Sequence, residues 1–287
     1  MSFRQKKYCI ADLNIILQWP TSLKVLNSKR FNGFLTTEES TDLKINLTEV
    51  SQLLPLYGSK VYQTSKVAVY RDGNRFTKLF FDTSGSFAPY ASAQYDWKNG
   101  ISSMLYLADA KEYLGDVTNV FRHVGFEELM LSRGRLILHS SLVETSRGGL
   151  LFSGVSGIGK STQANLWHRY EGSRIINGDR PILYQAGDCW QASGSPYAGS
   201  SQYFINKSVP IFAILLLEQG EHIELRRMTG AEAFQRLYAG TVVNTWDRKY
   251  VSRACDLLAD LIARVPVYRF CCTPDQEAVS FLKKELF

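Results

Sequence analysis

The stretch Gly154-Val155-Ser156-Gly157-Ile158-Gly159-Lys160-Ser161-Thr162 decides how this chain is read. It fits the pattern G-x-x-x-x-G-K-[ST] throughout and adds a third glycine and a second hydroxyl. Glycines let successive backbone N–H groups turn inward around a pyrophosphate, and a helix that follows aims its positive end at the same anion. The pattern therefore implies a nucleotide-binding loop made of Gly154, Ser156, Gly157, Ile158, Gly159, Lys160, Ser161 and Thr162. Lys160 is expected at the β- and γ-phosphates, and Ser161 at a Mg²⁺ ion.

The flanking residues have the order this mechanism needs. Gly149-Leu150-Leu151-Phe152-Ser153 reads as a short buried strand that ends at the loop. Ser161 to Tyr170 reads as a helix with Ala164, Leu166, Trp167 and Tyr170 on its apolar face, stopped by Gly172. A glycine-rich turn with an incidental lysine would not need a buried strand before it and a helix after it.

A chain of 287 residues has room for one large or two modest domains. Its net charge of +6 is spread out, with no concentrated basic patch of the kind that follows a nucleic-acid backbone, so no nucleic-acid partner is expected. The five cysteines are odd in number and lack C-x-x-C spacing, which argues against a disulfide framework or a zinc site and for a reducing compartment. Lys6-Lys7 and Cys9-Ile10-Ala11 resemble the start of a signal peptide, but Asp12 and Asn14 break the apolar run. Ile211 to Leu217, the longest strongly apolar run, is too short to cross a bilayer. A cytoplasmic protein with no membrane partner is the expectation, and a homo-oligomer stays open.

Residues 1–115 read as a mainly β region. Apolar runs recur at Tyr8 to Ile10, Leu13 to Leu17, Leu43 to Leu47, Lys60 to Tyr70, Phe76 to Phe81 and Ser102 to Leu107. Turns at Arg71-Asp72-Gly73-Asn74 and Lys98-Asn99-Gly100 separate some of them. Residues 116–287 read as an α/β domain containing the glycine loop. It begins with a helical stripe from Val117 to Leu131, interrupted by Gly125, and a strand from Arg135 to Val143. Further strands are expected at Ser173 to Ile176, Pro181 to Tyr184, Cys189 to Ala192, Val209 to Leu217, Ile223 to Leu225 and Val265 to Cys272. Two closing helices are expected, Arg248 to Val265 capped by Asp247, and one to Leu286 started by Thr273-Pro274-Asp275-Gln276. Gly194 to Ser201 reads as a loop too flexible for core.

A bound triphosphate needs a metal partner and a group that activates the acceptor, usually a carboxylate ending a buried strand beside the loop. Asp179 and Glu218 have that placement in sequence, so Ser161, Asp179 and Glu218 form the candidate metal set. Among four histidines, His139 alone lies on a strand near the loop in sequence.

His139-Ser140-Ser141-Leu142-Val143, the glycine loop and Ile176-Asn177-Gly178-Asp179-Arg180 together resemble the catalytic region of HPr kinase/phosphorylase and its relatives, over roughly residues 120–285. The resemblance implies a P-loop kinase domain of the HPr kinase and phosphoenolpyruvate carboxykinase type. The family carries a histidine on the strand before the loop and an Asp-Asp pair on a following strand. By that resemblance His139, Lys160 and Asp179 are the catalytic residues, while Gly178 stands where the other aspartate would be. The family's downstream sequence associated with phosphorolysis is not found, which favours kinase over phosphorylase activity. The implied reaction uses ATP and Mg²⁺ to phosphorylate a hydroxyl, with Asp179 as base. The acceptor is a serine or threonine of a peptide or protein, or a small-molecule alcohol, and the loop Gly194 to Ser201 would border it. Two alternatives stand beside this reading: a non-catalytic nucleotide-binding regulator and a phosphoenolpyruvate carboxykinase-like enzyme.

Overall fold

A computed structural model describes residues 2–54, 56–73, 75–82, 88–96 and 101–287. The expected turn at Lys98-Asn99-Gly100, and Asn74 of the other, lie outside the described residues. The protein is mixed α/β with two large sheets, and it divides into two compact units, Met1–Leu129 and Met130–Phe287. No helix among the described residues is long and apolar enough to cross a membrane.

The first unit carries strands β1 (Phe3–Ile10), β2 (Leu13–Pro20), β3 (Leu43–Glu49), β4 (Ser59–Gln63), β5 (Val67–Asp72), β6 (Arg75–Phe81), β7 (Pro89–Asp96) and β8 (Ile101–Tyr106). They form one sheet in the order β1-β2-β3-β8-β7-β6-β5-β4. The period of two is plain in β2, where Leu13, Ile15 and Leu17 are buried and the residues between them are half-exposed. The run Lys60 to Tyr70, expected as one strand, is the hairpin of β4 and β5, because residues 64–66 turn the chain.

Helix α1 spans Lys29–Asn32. The expected helix from Val117 to Leu131 is two helices, α2 (Val117–His123) and α3 (Phe126–Ser132). Gly125 separates them at φ +75°, a left-handed conformation that side chains resist. Phe121 of α2 stacks on Phe31 at 5.0 Å and meets Tyr8 edge-on at 5.5 Å. These aromatic contacts place α2 in the first unit, so the division falls between residues 129 and 130 and not at 115/116.

The second unit follows the order β9 (Arg135–Ile137), β10 (Ser140–Thr145), β11 (Gly148–Ser153), α4 (Lys160–Glu171), β12 (Arg174–Asn177), β13 (Ile182–Ala186), β14 (Cys189–Ser193) and β15 (Ser208–Gln219). It closes with β16 (Glu224–Arg227), α5 (Gly230–Gly240), α6 (Arg248–Arg264), β17 (Val267–Cys272) and α7 (Gln276–Leu286). The central part of the sheet runs β12-β10-β11-β15. Strands β11, β15 and β17 are mutually parallel, and β12 points the same way because β10 is antiparallel to both of its neighbours. β15 is long enough to pair with β14 through Ser208–Pro210 and with β17 through Ile214–Gln219.

Leu150 and Phe152 of β11, Val143 of β10, Ile175 of β12 and Leu215 of β15 are buried in one cluster with Ala164 and Trp167 of α4 and Ala278, Val279 and Leu282 of α7. Fully burying a leucine or phenylalanine side chain contributes about 1.5–3 kcal/mol. This layer therefore fixes α4 directly over the strand that precedes it.

Two expectations for the second unit change. Arg135 to Val143 is not one strand: β9 pairs with β13, β10 pairs with β11 and β12, and Leu138-His139 form the break. The cap of α7 is Asp275, whose carboxylate accepts from the Glu277 and Ala278 N–H groups, so Pro274 lies outside the helix. Helix α5 was not foreseen. Its signal was present as Thr229-Gly230-Ala231-Glu232, with the Thr229 hydroxyl accepting from the Glu232 N–H at 3.4 Å. Asp247 caps α6 as expected.

Candidate functional site

The parallel strands deliver their C-terminal ends to one edge of the sheet, and antiparallel β10 delivers its N-terminal end there. Ser140 opposes Ser153 across β10 and β11, and Leu142 opposes Asn177 across β10 and β12. The register brings together the residue before β10 (His139), the loop after β11 and the turn after β12 (Asp179). This is the edge at which open α/β sheets bind ligands.

The loop 154–159 makes a tight turn into α4. Gly159 is the N-cap of α4 at φ +112°, and no side chain caps the helix. Its first-turn N–H groups therefore face the loop without a side-chain acceptor. A Cβ at Gly157 or Gly159 would meet no atom within 4 Å, so space is open beside both residues. Ser156, Gly157, Ser161 and Thr162 are exposed, while Ile158 turns inward onto the core cluster.

Lys160 is 8% exposed, and its ammonium donates to the carbonyls of Gly154 at 3.1 Å and Val155 at 3.0 Å. Burial depresses its pKa, and the charge of Asp179 partly opposes that shift. The Asp179 carboxylate is thus near enough for its charge to act on the Lys160 ammonium.

Asp179 and His139 meet directly: His139 Nε2 lies 2.7 Å from Asp179 Oδ1. Arg180 Nε approaches the other oxygen at 3.5 Å. Their backbones are also fixed. The Asp179 carbonyl accepts from the Ser140 N–H at 2.9 Å, the His139 N–H donates to the Gly240 carbonyl at 2.8 Å, and the Ser153 hydroxyl donates to the His139 carbonyl at 3.0 Å.

A cleft of about 400 Å³ opens between the start of α4, the turn after β12 and the segment 198–203. Ser161 and Asp179 both line it, as do Ser200 and Ser201. The loop Gly194 to Ser201, expected to be too flexible for core, is buried in its first half, with Ser195 and Ala198 at 1% and 0% exposure. The reason is a polar network that pattern reading missed. Asn177, fully buried, accepts the N–H groups of Asp179 at 3.0 Å and Arg180 at 2.7 Å, and its amide donates to the Ser195 carbonyl at 3.0 Å. The Ser195 hydroxyl in turn donates to the Arg180 carbonyl at 2.6 Å. An asparagine two residues before an aspartate, in a turn after an apolar run, was the available signal.

Asn177→Ala removes three of these bonds and leaves buried backbone groups unpaired. It should destabilise the second unit by about 3 kcal/mol in denaturant titrations and open 194–201 to proteolysis. Unchanged stability would mean that the network carries no weight.

Glu218 is not brought to the cleft. Its Oε2 accepts from Arg269 at 2.7 Å and its Oε1 pairs with Arg236 at 2.5 Å, so both oxygens are committed to arginines. Burial would raise its pKa, but hydrogen bonds from Arg269 and Arg236 with their charges outweigh it, and the net shift is downward. A depressed folded-state pKa stabilises above the ordinary carboxylate range and is lost as pH falls through the lowered value. Glu218→Gln should therefore flatten the acid limb of the stability–pH curve, while nucleotide affinity changes less than about threefold, a shift of about 0.7 kcal/mol. A larger affinity loss would return Glu218 to the metal set. Arg226 pairs with Glu232 on α5.

No family model matches the chain, and no curated protein matches it. Among solved structures, the HPr(Ser) kinase/phosphatase from Coxiella burnetii is similar with a TM-score of 0.33 at 13% identity, over 52% of this chain and 94% of that one. The overlap is too loose to transfer the role of any residue, so the site stands on its own geometry.

Proposed function

We propose that the second unit is an ATP-dependent phosphotransferase that passes the γ-phosphoryl group to a hydroxyl, built as a P-loop kinase of the HPr kinase kind. The observation that carries this reading is the cleft lined by both Ser161 and Asp179, next to a buried lysine and with a histidine bonded to the acid.

The residues present fit the nucleotide and its metal. The turn 154–159 is open where side chains would block a phosphate, and the uncapped start of α4 supplies N–H donors. Lys160 would exchange its two loop carbonyls for phosphate oxygens. Mg²⁺ is commonly held by one or two carboxylates together with substrate phosphates and water, and Ser161 with Asp179 matches that donor set. Bound Mg²⁺ and ATP supply the activated phosphoryl group and neutralise charge that develops during transfer.

The remaining work falls to the chain's own groups. Backbone amides of Gly157 to Lys160 and the Lys160 ammonium would hold the phosphate tail in place. Asp179 would accept the proton of the attacking hydroxyl, with His139 Nε2 holding one carboxylate oxygen and so fixing its orientation. Asn177 would keep Asp179 in position through its two backbone N–H bonds.

A non-catalytic nucleotide-binding regulator is the second reading, favoured by one observation: Gly178 places no second carboxylate beside Asp179. Incubation with γ-labelled ATP, Mg²⁺ and a panel of peptides, free serine and small alcohols separates the two. Label on an acceptor supports the kinase. Nucleotide-dependent partner binding without transfer supports the regulator, and turnover of oxaloacetate would point to a carboxykinase instead.

A further inference from the structure

Gly178 sits against Ser201. A Cβ built at residue 178 would lie 2.0 Å from the Ser201 Oγ and 2.4 Å from its Cβ, so the serine side chain fills the space a residue-178 side chain would take. One residue on, a Cβ at Gly199 would lie 2.7 Å from Asp179 Oδ2. Two glycines thus let the segment 199–201 lie directly against the strand end that carries the acid. Any larger residue at either position would push the segment away.

Ser201 lines the cleft with Asp179 and Ser161. Its Oγ accepts from the Tyr203 N–H at 3.0 Å, and among the described residues its own O–H has no acceptor. A hydroxyl held by one bond, with a free proton in the cleft that Asp179 also lines, is equipped to bind another oxygen. The rest of the lining is consistent in charge: apart from Asp179, every side chain that lines the cleft is neutral, Asn165, Ser200 and Gln202 among them. The nearby cations, Lys160 and Arg180, do not line it. An anionic group next to the reacting hydroxyl would therefore meet Asp179 and the phosphate tail with no cationic side chain in the lining to bind it.

Building on the phosphotransferase reading, we propose that Ser201 is the acceptor-recognising residue and that the acceptor presents its hydroxyl with no negative charge beside it. In the transfer, a bond forms between the acceptor oxygen and the γ-phosphorus while the bond from that phosphorus to its bridging oxygen breaks. The electron pair leaves with ADP, and the acceptor proton passes to Asp179. A free polyol and a serine flanked by neutral residues share this chemistry.

The full chain, with Mg²⁺ and γ-labelled ATP, is tested on glycerol, myo-inositol and a serine peptide with neutral flanks, each against a charged counterpart: glycerol 3-phosphate, an inositol phosphate and the same peptide with aspartate flanks. At least one neutral acceptor is expected to exceed its charged counterpart about tenfold in kcat/KM. The arm that responds distinguishes polyol from peptide. Ser201→Ala is expected to raise KM for that acceptor about tenfold while leaving KM for ATP within twofold. Gly178→Ala, whose methyl would displace the Ser201 hydroxyl, is expected to raise the same KM. Adding Ser201→Gly to it should relieve the crowding, seen in thermal stability, without recovering acceptor affinity.

Equal or better use of the charged acceptors, no transfer to any neutral acceptor by a chain that binds ATP, or an unchanged acceptor KM in Ser201→Ala each overturns the inference. A chain that neither binds ATP nor transfers phosphate in any arm overturns the phosphotransferase reading along with it.

Discussion

Lys160→Ala should weaken ATP binding about 100-fold, close to 2.7 kcal/mol, and abolish phosphotransfer, measured by calorimetric titration and label transfer. The side chain supplies a charged donor at the mouth of the turn, and charged hydrogen bonds are about twice as strong as neutral ones. Its ammonium already gives up water to sit 8% exposed against two carbonyls, so exchanging those for phosphate oxygens adds little further desolvation. The substitution also frees the Gly154 and Val155 carbonyls, so thermal unfolding of the variant should be compared with the parent before affinity is judged. A well-folded variant with affinity within threefold of the parent would remove the lysine from the phosphate site.

Asp179→Asn should behave differently, slowing phosphotransfer by about 10³-fold while ATP affinity stays within about threefold. The change is nearly isosteric. It keeps the backbone bonds that hold residue 179, namely its N–H to Asn177 and its carbonyl to Ser140. What disappears is the capacity to take a proton, together with the charge opposite His139 Nε2. Single-turnover label transfer beside equilibrium ATP binding separates the two effects. Parallel loss of ATP affinity in both variants would show that holding nucleotide or metal, and not proton transfer, is the main role of Asp179.

Local features of the second unit were largely legible beforehand. The glycine loop follows a strand and leads into a helix that stops at left-handed Gly172, and the strands expected at Pro181 to Tyr184 and Cys189 to Ala192 are present as β13 and β14. These features depend on residues a few positions apart, so apolar period and glycine placement were enough. Helix α5 was missed although Ala233, Phe234, Leu237 and Tyr238 give it apolar residues at helical spacing, of which Ala233 and Leu237 are buried.

His139 shows the limit of pattern. On sequence it is a strand residue, and packing would have been an adequate account of it. In the fold it occupies the break between β9 and β10, where two neighbouring carbonyl and hydroxyl groups fix its backbone and its ring reaches Asp179. Glu218 fails in the opposite sense. It ends a buried strand as Asp179 does, but β17 and α5 bring arginines to it from 51 and 18 residues further along the chain (269 − 218 and 236 − 218). Nothing near Glu218 in sequence announces either partner.

By itself the sequence determined the glycine turn, the helix placed behind it and the acid at the end of a short buried strand, because each is a property of contiguous residues. Tertiary structure alone decided that His139 bonds that acid, that Glu218 is taken by arginines, and that Ser201 occupies the room left by Gly178. The physical reason is that hydrogen bonds and excluded volume act over a few ångströms, and strand pairing brings these distant stretches within that range: β10 with β11 and β12 for His139, β15 with β17 for Glu218 and Arg269, and the Asn177–Phe204 bridge for Ser201.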